Sequence, residues 1–175
     1  MTNRICTPQT FRNHPAQWEL QRLLQALFKA PDPRQITRQV ADFLRHHPLP
    51  ADDFPLIPGT YTRSILLRAE NRFEGMAARW SSKSVSAIHG HPSFTLYYVV
   101  SGHLACDNYT RRGSGVEKTA STALTAGEFT AFTGPAGTFD NHIHQVRAVE
   151  DTLSIHVSSD DAAKGEIFPP ERTVQ

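Results

Sequence analysis

The stretch Ile88-His89-Gly90-His91 is the most informative part of this 175-residue chain. Side chains at i and i+2 of a β-strand point to the same face of the sheet. Two imidazoles on one face can hold a single divalent metal ion, and a later strand can supply a third ligand. His142 and His144 are the candidates for that third position, and they share the same parity. The spacing therefore predicts a metal site.

The composition excludes several classes of function. The net charge is +1, from 18 basic and 17 acidic residues, and no block of like charge favours nucleic acid or a membrane surface as a partner. No apolar run is long enough to span a bilayer, and the first residues lack the apolar stretch of a signal peptide. We expect a soluble, cytoplasmic protein in which Cys6 and Cys106 form no disulfide.

Helical periodicity is confined to the N-terminal part of the chain. Leucines at 20, 23, 24 and 27 follow the spacing of an amphipathic helix that begins at Pro15. Asp32 followed by Pro33 predicts the start of a second helix, with an apolar stripe that includes Ile36 and Val40. Four prolines between residues 47 and 59 then predict an extended linker.

From Tyr61 onward the pattern changes to short β-type runs separated by turn residues. Nine such runs are typical of an all-β sandwich or barrel. The predicted strands are 61–68, 73–80, 84–89, 94–101, 103–110, 116–124, 128–132, 144–149 and 152–158.

Two motifs resemble the cupin family. His89-x-His91-x3-Thr95-x6-Gly102 is similar to the first cupin motif, with Thr95 where the family has glutamate. Gly127, Pro135-Ala136-Gly137 and then His142 or His144 are similar to the second. The resemblance implies an all-β cupin domain, a double-stranded β-helix or jelly-roll barrel, over residues 60–175. Residues 1–59 would form a two-helix extension and linker.

The ligand set follows from these motifs. Threonine is a poor ligand for a divalent ion, so the site would consist of three neutral imidazoles, His89, His91 and His144. His144 is favoured over His142 because it begins the apolar-alternating run His-Gln-Val-Arg-Ala-Val. Imidazole suits iron, zinc, copper and nickel alike, so the ligands do not identify the metal.

Further matches resemble the cysteine dioxygenase-like (thiol dioxygenase) branch of the cupins. They are Tyr61-Thr62-Arg63, Trp80, the His144-Gln145-Val146 run and Ser154-Ile155-His156. The resemblance implies a mononuclear Fe(II) enzyme that uses O2 to convert a small thiol, cysteine or a mercapto-carboxylate, to its sulfinate. Arg63 would bind the substrate carboxylate, His156 would donate a hydrogen bond beside the metal, and Tyr61 would line the pocket.

One departure from the branch bears on the substrate. The family's pocket tyrosine falls at position 158, where this chain has Ser158, so the side chain keeps a hydroxyl but loses the phenol. Two alternatives stay open at this point: another enzyme built on three histidines, such as a carbon–carbon cleaving dioxygenase or a lyase, and a non-catalytic binding module. The expected partners are a small molecule and O2, with the protein a monomer or a small homo-oligomer.

Overall fold

The computed structural model describes residues 14–69, 72–113 and 115–169, which form two helices followed by ten strands. The helices are α1 (Pro15–Phe28) and α2 (Pro33–His46). The strands are β1 (Tyr61–Ala69), β2 (Phe73–Trp80), β3 (Ile88–His91), β4 (Phe94–Ser101), β5 (His103–Arg112), β6 (Gly115–Thr125), β7 (Phe129–Thr133), β8 (Asn141–Ala148), β9 (Thr152–Ser158) and β10 (Ile167–Phe168). In the described part, neither helix is long and apolar enough to cross a membrane.

The helix boundaries confirm the capping signals in the sequence. Pro15 and Pro33 each occupy the first turn of their helix, where proline's missing N–H costs nothing. The Asp32 side chain accepts a hydrogen bond from the Arg34 amide at 3.0 Å and so caps α2. In the apolar stripes of the two helices, Leu20, Leu24 and Val40 are fully buried.

The strands form two five-stranded antiparallel sheets. The first has the order β1-β2-β9-β4-β7 and the second β10-β3-β8-β5-β6. Within the described residues the two sheets are not joined by hydrogen bonds, so the predicted jelly-roll barrel is not closed. The predicted all-β architecture with two N-terminal helices is otherwise what the structure shows.

The central strands of the first sheet are buried on both faces. Every residue of β2 and of β9 is buried. In β9, Leu153, Ile155 and Val157 pack in one cluster with the apolar stripes of α1 and α2. The alternate positions of β9, among them Ser154 and His156, therefore face the other sheet. The helices and the sheet share this core. The predicted boundary between a helical extension, residues 1–59, and a β domain, residues 60–175, therefore stays a prediction.

Two strand predictions need correction. The run predicted at 84–89 begins as a strand only at Ile88, because Lys83 adopts a positive φ of 65° and Val85 makes just an isolated bridge to Arg147. Strand β10 was not predicted: it has only two residues, and its pairing with His89 and Ile88 is long-range. Cys106 is a free, buried thiol, while Cys6 lies outside the described residues.

Candidate metal centre

Three histidines converge where β3 pairs with β8. His89 lies directly opposite His144 in the register, and the Nε2 atoms of His91 and His144 are 3.0 Å apart. One ring nitrogen from each of the three residues lies within 4.8 Å of the others. His91 and His144 are buried, and His89 is half-buried. The three predicted ligands are thus brought together closely enough to hold one ion.

Gly90 makes this convergence possible. The register between β3 and β8 shifts between His89 and His91. A Cβ atom added at Gly90 would lie 2.5 Å from the carbonyl oxygen of Phe139, which is closer than real Cβ contacts. The Gly90 amide also donates to the Glu166 carbonyl at 2.8 Å. The glycine between the two histidines is therefore required by the close approach of neighbouring backbone.

The three imidazoles are in the form that binds metal. The Nδ1 atom of His89 is 2.9 Å from the Ala87 carbonyl, to which it donates, so its Nε2 lone pair is available. Burial lowers the pKa of His89, and it lowers the pKa values of His91 and His144 well below the ordinary value of 6.5. The donor set is therefore neutral at physiological pH and fits a divalent ion that accepts nitrogen ligands.

The position of Thr95 supports a site without a carboxylate ligand. Its hydroxyl donates to the Phe94 carbonyl at 2.8 Å and lies 3.1 Å from the Ser158 hydroxyl. Thr95 and Ser158 are also directly paired between β4 and β9. Because the Thr95 proton goes to Phe94, the Ser158 hydroxyl donates to the Thr95 oxygen, and both hydroxyls have a partner.

The cluster contains His144 and not His142. The His142 ring instead stacks on Phe132, with ring centroids 3.8 Å apart. The backbone of His142 has a positive φ of 45°. Burial lowers the pKa of His142 to about 4. The residue is thus a neutral aromatic neighbour of the cluster, and the matching parity of His142 and His144 does not bring both into it.

A cavity of about 70 Å³ opens onto the cluster. A single water needs about 10–15 Å³ of such space, so the cavity accommodates a molecule of a few heavy atoms. The Tyr61 ring forms one wall and stacks on Trp80, with centroids 4.3 Å apart. All of the residues predicted for the site line this cavity: Tyr61, Arg63, His89, His91, His144 and His156.

Arg63 is buried and already held by the protein along one edge. Its Nη2 donates to Glu74 Oε1 at 2.9 Å, and its Nε lies 3.0 Å from the Met76 sulfur. Glu74 also accepts from Arg68, and Asp161 lies within 4.0 Å of both arginines. Among the described residues no hydrogen bond from Arg63 Nη1 is found. The guanidinium is thus fixed in place with one terminal nitrogen uncommitted.

His156 belongs to a hydrogen-bonded chain on the inner face of the first sheet. Trp80 Nε1 donates to the Ser154 hydroxyl at 3.0 Å, and that hydroxyl lies 2.8 Å from His156 Nε2. Because the Ser154 oxygen accepts from Trp80, its own proton is available to His156. Burial, together with the charge of Arg63, lowers the pKa of His156 to about 3. His156 is therefore neutral and oriented by Ser154.

Two site residues were missed by sequence reasoning. Glu74 accepts a hydrogen bond from Arg63, but no sequence pattern links the two residues. Tyr97 places its hydroxyl oxygen 2.7 Å from His91 Nε2 and 3.3 Å from His144 Nε2. The signal for Tyr97 was present, because it stands two residues after Thr95 on the same strand and so on the same face.

These buried neutral histidines predict acid sensitivity of the metal-free protein. The folded pKa of His156 is about 3, below the ordinary value of 6.5, so between these values the unfolded chain binds more protons. The contribution of His156 to the free energy of unfolding is therefore fully present above pH 6.5, and it is lost as the pH falls towards 3. Urea unfolding with a chelator present should show this fall, with a slope about 1.4 kcal/mol per pH unit smaller in His156→Asn. An unchanged slope in that variant would contradict the assignment.

Comparisons with known proteins identify the fold. No family model and no curated protein matches the sequence. A cupin superfamily protein from Desulfitobacterium hafniense is similar in structure, with a TM-score of 0.50 and 11% identity over 65% of this chain and 89% of that one. A protein with a double-stranded β-helix domain from Klebsiella pneumoniae has a TM-score of 0.49 and 19% identity, covering 70% and 96% of the two chains. KdgF from a Halomonas species has a TM-score of 0.42 and 24% identity, covering 63% and 88%.

The fold and the site together define a class. The likeness to the Desulfitobacterium protein shows a cupin fold, at an identity too low to carry an activity. The chain is therefore a protein of cupin fold with a cluster of three histidines that could hold a metal ion.

Proposed function

We propose that this protein is an iron(II)-dependent dioxygenase that converts a small, carboxylate-bearing thiol to its sulfinate. In this reaction the thiol and O2 combine, both oxygen atoms bond to sulfur, and sulfur is oxidised as the O–O bond breaks. The observation that carries the proposal is that Arg63, with an uncommitted guanidinium nitrogen, lines the same small cavity as the three-histidine cluster. Cysteine, 3-mercaptopropionate and mercaptosuccinate are the candidate substrates.

The guanidinium of Arg63 is prepared for an anionic group. Glu74 and Met76 occupy its Nε and Nη2 side, which fixes the plane of the group. A substrate carboxylate would then pair with the Nη1 side through a charge-assisted hydrogen bond. Since Arg63 is only 6% exposed, that pair would be shielded from water.

The cavity also restricts the size of the substrate. About 70 Å³ is small beside the roughly 300–1,000 Å³ of most ligand pockets, which favours a substrate of a few heavy atoms such as a small thiol. Tyr61 and Trp80 form an apolar wall, and His156 faces the same space. A bound Fe(II) would supply the redox chemistry with O2. The residues of the chain orient the thiol and exclude bulk water.

Oxygen uptake with a panel of thiols tests the proposal. Iron(II)-loaded protein should consume one O2 for each thiol with cysteine or a mercapto-carboxylate, and mass spectrometry should find the sulfinate. No uptake with any small thiol would refute the proposed activity. Turnover of a substrate without a thiol, in protein loaded with zinc, nickel or manganese, would support a different three-histidine enzyme instead.

A matched pair of substrates isolates the role of Arg63. Arg63→Lys keeps the charge beside Glu74 but loses the planar fork. It should raise KM about tenfold or more for the carboxylate thiol. For cysteamine, which lacks the carboxylate, the variant and the unaltered protein should have the same KM. An equal change in KM for both thiols would show that Arg63 supports the fold and does not bind the carboxylate.

A further inference from the structure

The Tyr97 hydroxyl is buried against the candidate metal ligands. Its oxygen lies 2.7 Å from Nε2 and 3.2 Å from Nδ1 of His91, and 3.3 Å from Nε2 of His144. The ring is held by neighbouring aromatics, with centroid distances of 4.7 Å to His156 and 5.8 Å to Phe132. The hydroxyl is therefore fixed beside the cluster by packing on both sides of the ring.

In the metal-free protein the hydroxyl has only these imidazoles as partners. Within the described residues, every hydrogen bond found for the Tyr97 oxygen involves His91 or His144. A metal ion held by these histidines would take up the lone pairs that could accept from the hydroxyl. The phenol would then need another partner, because a buried hydroxyl without one is unfavourable.

The position of the oxygen argues against Tyr97 as a ligand itself. Because the oxygen is within 3.2 Å of both nitrogens of the His91 ring, it lies beside the ring and off the axis along which Nε2 binds an ion. An ion bound at about 2.1 Å from that Nε2 would still lie within about 5 Å of the hydroxyl. That separation suits a hydrogen bond to a group bound on the ion.

The charge of the site selects the kind of group. Three neutral imidazoles leave a divalent ion with its full charge, and no carboxylate is found among the described residues that line the cavity. Such an ion attracts an anion to its open position. Two other polar side chains that line the cavity already have partners within the protein. His156 is hydrogen-bonded through Nε2 to Ser154, and the Arg63 guanidinium is hydrogen-bonded to Glu74.

We infer that Tyr97 donates a hydrogen bond to an anionic ligand at the open position of the metal. The inference rests on the metal site of the proposed function, but not on a thiol as the substrate. Tyr97 would thus supply the site with a phenol from β4. Ser158 on β9, which stands where the resembling family has its pocket tyrosine, is instead paired with Thr95.

Azide binding to the iron(III)-loaded protein tests the inference without any turnover. Tyr97→Phe keeps the ring and removes only the oxygen, so the azide dissociation constant should rise about tenfold or more, because hydrogen bonds to charged groups are the strong ones. The infrared stretch of bound azide should shift in the same variant. The matched control is Tyr98→Phe, since Tyr98 stacks on Phe129 on the opposite face of β4 and should leave both readouts unchanged.

The zinc affinity of the same variants separates the possible roles. Calorimetry should give Tyr97→Phe a zinc affinity equal to or higher than that of the unaltered protein, because the phenylalanine has no hydroxyl to leave without a partner. Equal azide affinity in the two proteins, or loss of zinc binding in Tyr97→Phe, would overturn the inference. A tenfold azide effect in a protein that oxidises no thiol would sustain the inference and refute only the proposed function. If the unaltered protein binds neither iron nor zinc, both fail.

Discussion

Replacing His91 or His144 with alanine is expected to lower the Zn(II) affinity by more than about a hundredfold, since even groups that only orient a metal ligand contribute about 10- to 100-fold. The two Nε2 atoms lie 3.0 Å apart, so each is needed to hold a shared ion. Competition with a chromophoric chelator would measure the loss. Zinc serves as the probe because it has no redox chemistry and accepts imidazole readily.

His142→Ala is the matched control for this experiment. His142 is the same residue type, lies two positions from His144 and stacks on Phe132. Its removal should leave the zinc affinity within about threefold, which is less than a residue that orients a metal ligand usually contributes. A loss in His142→Ala as large as that in His91→Ala would mean that His142 enters the ligand set. Circular dichroism of each variant would show whether the fold is retained.

The histidine cluster could be predicted because it depends on local periodicity. A period of two residues places His89 and His91 on one face whatever the rest of the chain does. The third ligand depends on the register between β3 and β8, which the sequence alone leaves open. The apolar-alternating run that begins at His144 made it the favoured choice, and the structure brings His144, not His142, into the cluster.

The environment of Arg63 could not be predicted, because a bulge controls it. Arg63 and Arg68 differ in parity, so a regular strand would place their side chains on opposite faces. The register of β1 shifts between Ile65 and Leu67, and that extra residue returns both arginines to one face. No local sequence signal distinguishes this position from an ordinary strand interior. As a result, the shared partner Glu74 was not foreseen.

The order of the strands within the two sheets was also beyond local patterns. Strand runs predict that a sheet exists, but their order within it depends on long-range pairing. The two-residue strand β10 and the Ala162–Lys164 turn that precedes it contribute to the cavity through Ala162, Ala163 and Ile167. Such short elements carry too little periodicity to be recognised.

Glu74→Gln is expected to lower the free energy of unfolding by about 3–5 kcal/mol, because it removes the hydrogen-bonded counter-charge of the buried Arg63 and leaves only Asp161, 3.9 Å away. The Glu74 carboxylate is 1% exposed. It accepts hydrogen bonds from Arg63 Nη2 at 2.9 Å, from Arg68 Nε at 2.7 Å and from the Ala162 amide at 3.3 Å. Glutamine keeps the shape but offers a single neutral oxygen to these donors. Urea unfolding at neutral pH would measure the loss.

The exposed pair Arg112–Glu117 is the matched control, because the same substitution there removes a charge that water already solvates. Its atoms are 2.8 Å apart, and the two side chains are 74% and 58% exposed. Glu117→Gln should therefore cost less than about 1 kcal/mol. Equal losses at positions 74 and 117 would show that the buried network contributes no more than a surface ion pair. A larger loss at 74 follows mainly from Arg63, whose side chain is 7% exposed against 29% for Arg68. Since Arg63 also lines the cavity, the network that stabilises the fold is the one that fixes the guanidinium beside the metal site.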